Sequence, residues 1–201
     1  MKRRLVGFSI LMLLLFSVPA HAGVPQDMVQ ANVNSVLDVL RDPALKPASA
    51  KETKKQKLRA IYDRMFNQVE LSKRALGRNW SKLNAAQQQE FVKLFQQVLE
   101  KAYIDKILAY TDEKIAFDKE SMLSETQAEV QTKAITSSKT IPISYRLILQ
   151  NGTWGVYDVV IENVSLVQNY RTQFNDILAK NTPEQLLETL RKKVKDQDAK
   201  A

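Results

Sequence analysis

Residues 141–161, IPISYRLILQNGTWGVYDVVI, decide the fold. Asn151-Gly152 sits between two runs of period two, and this dipeptide suits a two-residue turn whose residues both take positive φ. Such a turn pairs Gln150 with Thr153. The register then sets Leu149 opposite Trp154, Leu147 opposite Val156, Tyr145 opposite Asp158 and Ile143 opposite Val160. One face of this hairpin is therefore apolar and aromatic. The other carries Ser144, Arg146 and Ile148 against Gly155, Tyr157, Val159 and Ile161, which is less polar than a solvated face. A sheet with apolar residues on both faces needs cover on both, so helices are expected to wrap a curved antiparallel sheet.

Outward from the hairpin, Ile115 and Phe117 predict a short strand and Glu129 to Ile135 another. On the other side, Phe174, Ile177 and Leu178 open a helical region that restarts at Thr182-Pro183 and carries Leu186, Leu187 and Leu190. The end, RKKVKDQDAKA, is expected to fray. Toward the N-terminus, Val29, Val33, Val36, Leu37 and Leu40 repeat at helical spacing until Asp42-Pro43 stops them. A second helix with a basic start holds Leu58, Ile61, Tyr62, Met65, Phe66 and Val69. A short one from Leu71 to Leu76 breaks at Gly77. Asn84 and Gln87 form a capping box for the longest helix, whose stripe of Phe91, Leu94, Phe95, Val98, Leu99 and Ala102 runs on through Tyr103 and Ile107 toward Tyr110. No internal repeat or low-complexity linker interrupts the pattern. The expected architecture is α+β, a single domain over residues 23–201 with helices first, a curved antiparallel sheet after them and a C-terminal helix.

The first segment alters the composition. Lys2, Arg3 and Arg4, the apolar run Leu5 to Val18 and the small-x-small site Ala20-His21-Ala22 predict a signal peptide cleaved after Ala22. Gly23 follows the site, so lipid anchoring through a cysteine is not expected. The mature chain has 179 residues with 27 basic and 22 acidic side chains, net charge +5, and it contains neither His nor Cys. That inventory excludes Ser-His-Asp and Cys-His nucleophiles, His proton shuttles and His/Cys zinc ligation. Disulfides are excluded too, so stability rests on packing.

The remaining polar candidates are few. Asp158, placed in a strand, reads as a buried hydrogen-bonding group, a general base or a sign that the register slips. Asp112-Glu113 and Asp105 are too scattered for a calcium loop, and no glycine-rich phosphate loop is present. Lys51, Lys54, Lys55, Lys57 and Arg59 surround a single Glu52 at the start of the second helix. They read as a solvated face, or as a contact for anionic headgroups or an acidic partner. Basic residues without an interleaved stacking platform argue against nucleic acid. No metal or cofactor is expected. The residues by themselves reach an exported α+β binder, in which the apolar faces either fill a core or line a cavity between helices and sheet.

Three stretches add a resemblance. LSKRALGRNWSKLNAAQQQEFVKLFQQVLEKAY at 71–103, ISYRL at 143–147 and GTWGVYDVVIENVSLVQNYRTQF at 152–174 closely resemble the MlaC, or toluene-tolerance, family of periplasmic phospholipid-binding proteins. The similarity covers most of the mature chain in consistent order. Asn163 stands where the family commonly has Gly, and Asn tolerates the left-handed conformation. The resemblance implies an NTF2-like fold and a non-enzymatic carrier with phospholipid as cargo. It implies a role in maintaining outer-membrane lipid asymmetry, with an inner-membrane ABC-transporter complex bearing an MCE-domain ring and an outer-membrane lipoprotein–porin complex as partners. The walls of an acyl-chain pocket are then expected from Phe95, Leu99 and Tyr103 of the long helix, Val130 of the second strand, and Ile143, Tyr145, Leu147, Val156 and Val160 of the hairpin. Leu166 and Tyr170 complete the set. A carboxylate-based hydrolase of NTF2-like type and a protein-binding adaptor are the alternatives.

Overall fold

The computed structural model describes residues 24–109 and 114–198. The expected signal peptide, Tyr110 and Asp112-Glu113 lie outside the described residues. Helix α1 spans Val24–Arg41, and the chain then turns through two short 3-10 segments into α2, Lys51–Met65. Helix α3 covers Gln68–Leu76 and α4 Ala85–Leu108. Strands β1 (Lys114–Ser124), β2 (Gln127–Ile135), β3 (Thr140–Gln150), β4 (Thr153–Ile161) and β5 (Val164–Ser165) follow, and α5 (Leu166–Leu178) and α6 (Pro183–Asp198) close the chain. Among the described residues the strands form one antiparallel sheet in sequential order, β1 to β5. The α+β expectation therefore holds.

Helix ends follow local chemistry. The capping box at α4 is present, with the Asn84 side chain accepting from the Gln87 amide and the Gln87 side chain accepting from Asn84. The apolar run expected to continue to Val69 instead stops at Met65. Phe66 is extended and pairs in parallel with Val156, and the Asn67 amide donates to the Val156 carbonyl at 2.9 Å. The Asn67 side chain then caps α3. The junction thus behaves as a fragment of edge strand and fixes two helices to β4.

The turn at Asn151 (φ 51°) and Gly152 (φ 76°) pairs Gln150 with Thr153, as expected, and Leu149–Trp154 and Leu147–Val156 follow in register. The expected pairings beyond that point are corrected. Arg146, not Tyr145, lies opposite Asp158, Tyr145 faces Val159, and Ile143 faces Ile161 while Val160 faces Ser144. The physical reason is a bulge at Tyr157, which adds one residue to β4 and exchanges its two faces from there on. A second two-residue turn, Glu162 (φ 49°) and Asn163 (φ 68°), joins Ile161 to Val164, so Asn163 does adopt the left-handed conformation.

Two apolar clusters result. One, among α3 to α6, contains Leu71, Phe91, Phe95, Leu99, Tyr170, Phe174 and Leu187, with Phe95 contacting Tyr170 and Phe174 edge-on at 4.9 and 5.2 Å between ring centres. The other joins Val29 and Val33 of α1 and Met65 of α2 to Val130, Leu147 and Val156 of the sheet. Phe66 packs against both.

Candidate functional site

The bulge and the register define the sheet face that α1 and α2 cover, here called the inner face. It is built in cross-strand rows. Ala128, Leu147 and Val156 make one row, and Val130, Tyr145 and Val159 the next. Phe117, Thr132, Ile143, Ile161 and Val164 form a third, and Ile115, Ala134 and Ile141 a fourth. The Thr132 hydroxyl donates to the Ile143 carbonyl at 2.9 Å, so the hydroxyl of this row is already satisfied within the sheet. On β1 the first two rows continue to Met122 and Glu120, and the Glu120 carboxylate accepts from the Gln26 amide of α1 at 2.7 Å; beyond Glu120, Thr132 and the Tyr145 phenol, the residues of these rows are apolar.

Cover does not extend along the whole face. Leu147 and Val156 are fully buried under the helices and Tyr145 and Val159 are half-buried; in the further rows Thr132 and Ala134 stay buried, whereas exposure rises toward the β4–β5 edge, to 36% at Ile161 and 60% at Val164. A contiguous apolar face that reaches solvent on a protein marks a ligand groove or an interaction surface more often than accident. The inner face is therefore a trough, closed at the Leu147 end and open along its β4–β5 edge at Ile161 and Val164.

The residues expected to line a pocket divide between the clusters. Val130, Tyr145, Leu147 and Val156 meet on the inner face, and Ile143 lies one row further toward the open end. Phe95, Leu99 and Tyr170 lie in the helical cluster, with Tyr103 and Leu166 packed against it. Val160 is turned to the opposite face with Ser144 and Asp158 by the bulge. Ile115, Phe117, Ile141, Ile161 and Val164 belong to the trough and were not identified from sequence. Their alternation is visible in the sequence, but placing them required the length of β1 and the parity change at Tyr157.

Asp158 is a buried hydrogen-bonding group on the opposite face. Its carboxylate accepts from the Ser165 hydroxyl at 2.7 Å, the Val167 amide at 3.0 Å and the Arg146 guanidinium at 3.4 Å, which ties β4 to the first turn of α5. Both oxygens are occupied. Arg146 also donates to Glu129 at 3.1 Å, and hydrogen bonds from Gln131 and Arg146 hold the Glu129 carboxyl below its ordinary range.

The basic start of α2 is largely used internally. Lys54 donates to the Leu40 carbonyl at the end of α1, Lys55 pairs with Glu52 and Arg59 is bidentate to Glu100 of α4. Burial pushes the Tyr170 phenol up to about 12, with Tyr103 adding to the effect, and raises Tyr62 as well. These are phenols kept neutral by apolar surroundings, not groups poised to transfer protons at neutral pH. Among the described residues, no three His, Cys, Asp or Glu side chains converge to hold a metal ion, and no helix is long and apolar enough to cross a membrane. A surface depression where α1 ends is lined by Asp38, Val39, Arg41, Asp42 and Lys57, and it contains none of the inner-face residues.

Helices packed on a curved, sequentially ordered antiparallel sheet with one largely apolar face place the chain among α+β proteins. A family model described as MlaC protein matches residues 30–192, and the chain belongs to that family. Toluene tolerance protein ttg2D of Pseudomonas putida is 26% identical over 183 residues, covering 85% of this chain and 82% of that protein. The intermembrane phospholipid transport system binding protein MlaC of Haemophilus influenzae is 26% identical over 112 residues, 53% of this chain and 52% of that protein. In three dimensions the chain is similar to a phospholipid-binding protein from Ralstonia solanacearum solved in complex with a phospholipid. The TM-score is 0.76 at 22% identity, over 87% of this chain and 98% of that one, a likeness of fold.

Proposed function

We propose that this protein is a periplasmic phospholipid carrier whose acyl chains lie along the inner face of the sheet, beneath and beyond α1 and α2. The observation that carries the reading is the apolar face from Leu147 to Val164, buried beneath the helices and open along the β4–β5 edge. From the Tyr145–Val159 row to the Ile115–Ile141 row is four residues of strand, about 14 Å. That is close to half of the roughly 30 Å hydrocarbon core of a bilayer, the length of one leaflet's chains. Membership of the MlaC family and the phospholipid named for two of its relatives support the same cargo.

The physics of carriage suits this inventory. Each buried CH₂ contributes about 0.8 kcal/mol, so two acyl chains represent on the order of 20 kcal/mol that cannot cross water unaided. A carrier needs apolar walls and a wet mouth for the headgroup, and it needs no nucleophile. Because a bilayer shelters the same hydrocarbon, net affinity is a small difference between large terms, and loading and release depend on docking at membranes. In this reading the signal peptide delivers the chain to the periplasm. There it exchanges lipid with an inner-membrane ABC-transporter complex carrying an MCE-domain ring and with an outer-membrane lipoprotein–porin complex, and so maintains outer-membrane lipid asymmetry.

Ile143→Trp tests the trough directly. Ile143 is half-buried in the third row, where an indole would fill space without displacing the packed floor at Leu147. The variant is expected to lie within about 1.5 kcal/mol of wild type in urea unfolding and to carry clearly less lipid. Wild-type lipid content in the folded variant would take the acyl chains off this face.

A further inference from the structure

Helices α2 and α4 run antiparallel past each other and are joined at the surface by two polar rungs, one helical turn apart on each helix. In the first, Arg59 donates through Nε and one terminal nitrogen to the Glu100 carboxylate, at 2.9 and 2.6 Å. In the second, the Gln96 side-chain amide donates to Asp63 at 2.8 Å, and Gln68 donates to the same oxygen at 2.8 Å. Below the rungs lies Tyr62, stacked on Phe66 with 4.5 Å between ring centres. Phe66 is the side chain shared by the two apolar clusters, and its neighbour Met65 belongs to the inner-face cluster. The seam is therefore polar and thin outside and apolar immediately beneath, and it leads to the closed end of the trough.

We propose that this seam is a passage through which the acyl chains enter and leave, and that Arg59 and Glu100 set the rate of exchange as its latch. The proposal rests on the carrier reading and assigns it residues that neither the family match nor the trough supplies. Arg59 is 53% exposed and Glu100 19%, so the bidentate pair holds the seam closed at rest while the guanidinium stays within reach of solvent, salt and an arriving headgroup. A guanidinium engages a phosphodiester as readily as a carboxylate, so an arriving headgroup competes with Glu100 for Arg59. Parting the helices moves Tyr62 and Phe66 from between the clusters and joins the two apolar regions.

The chain contains no cysteine, so a thiol pair can be placed without background. In the Arg59→Cys/Glu100→Cys variant the two thiols are bridged by a short bis-methanethiosulfonate, which a reductant later removes. The readout is transfer of phospholipid with a fluorescent acyl chain between vesicles. The bridged protein is expected to transfer at least about tenfold more slowly and to recover on reduction. Arg59→Glu should exchange about two- to five-fold faster than wild type, and Arg59→Glu/Glu100→Arg should return to the wild-type rate. Recovery on reduction separates a closed seam from a misfolded protein. A bridged protein that transfers at the wild-type rate overturns the latch and leaves the carrier standing, whereas a wild-type protein that transfers no lipid overturns both.

Discussion

At the scale of the residue, Asp158 shows how a carboxylate in an apolar chain is put to structural use. A strand position with no acid partner in sequence leaves structural and catalytic roles open. Its side chain is 3% exposed, and its three donors come from Ser165, Val167 and Arg146, so it binds β4 to α5 and has no oxygen left for a substrate. Asp158→Ala is expected to cost about 2 kcal/mol in urea unfolding, because it strands the buried Val167 amide and removes the partner of the Ser165 hydroxyl, while Arg146 keeps Glu129. Glu129, next along this network, contributes acid sensitivity, as does Glu90 beside Arg191. Hydrogen bonds from Gln131 and from Arg146 depress its carboxyl in the folded protein, so the stabilisation is fully present above the ordinary value of 4.5 and is lost as pH falls through the depressed one. Glu129→Gln should therefore flatten the acid limb of the stability profile below about pH 4.5 and leave its slope near pH 7 unchanged. A variant whose acid limb matches wild type would assign that limb to other carboxylates.

At the scale of the element, the decisive event is the docking of the α2–α3 junction on β4. Gly155 permits it, since a Cβ there would lie 2.9 Å from the Asn67 Cβ and 3.3 Å from its amide nitrogen. Gly155→Ala is expected to destabilise the protein by about 1 to 3 kcal/mol and to loosen the Asn67–Val156 hydrogen bond, which amide exchange at Asn67 would report. Unchanged exchange at Asn67 would show that the junction tolerates the added carbon. The elements themselves were legible where a local device encodes them: the capping box at Asn84, the Asn151-Gly152 turn, the break at Gly77. What sequence did not reveal depends on contacts between distant segments. The end of α2 at Met65 is set by pairing with Val156, ninety residues away, against a helical period that would carry on to Val69. The bulge at Tyr157 is supported by Arg74, whose guanidinium lies 3.8 Å over the Tyr157 ring, and nothing in the alternation of β4 announces it. One inserted residue then sent Val160 to the wrong face. For the same reason the inner face was legible only in part: the hairpin register near the turn agrees with the structure, whereas Phe95, Leu99 and Tyr170 pack together in the helical cluster, and periodicity does not distinguish a core from a cavity wall.

At the scale of the whole molecule, the helical layer and the sheet perform separate tasks. The aromatic cluster of α3 to α6 is a packed core that gives a disulfide-free chain its rigidity, while α1 and α2 lie over a sheet whose apolar face stays exposed at its β4–β5 edge. A chain with no Cys and with its single His at position 21, ahead of the described residues, is poor in reactive groups and rich in apolar walls, which is what solvation of hydrocarbon requires. The seam between α2 and α4 joins these two regions, so a carrier built this way can admit cargo without unfolding its core. The central claim is that the inner face holds phospholipid. The most direct test is to purify the protein from the periplasm, extract it with organic solvent after exhaustive dialysis, and identify what is released by mass spectrometry. The account predicts diacyl phospholipid at near-stoichiometric amount, reduced in Ile143→Trp. A folded protein that releases none, and that takes up none from vesicles, would contradict it.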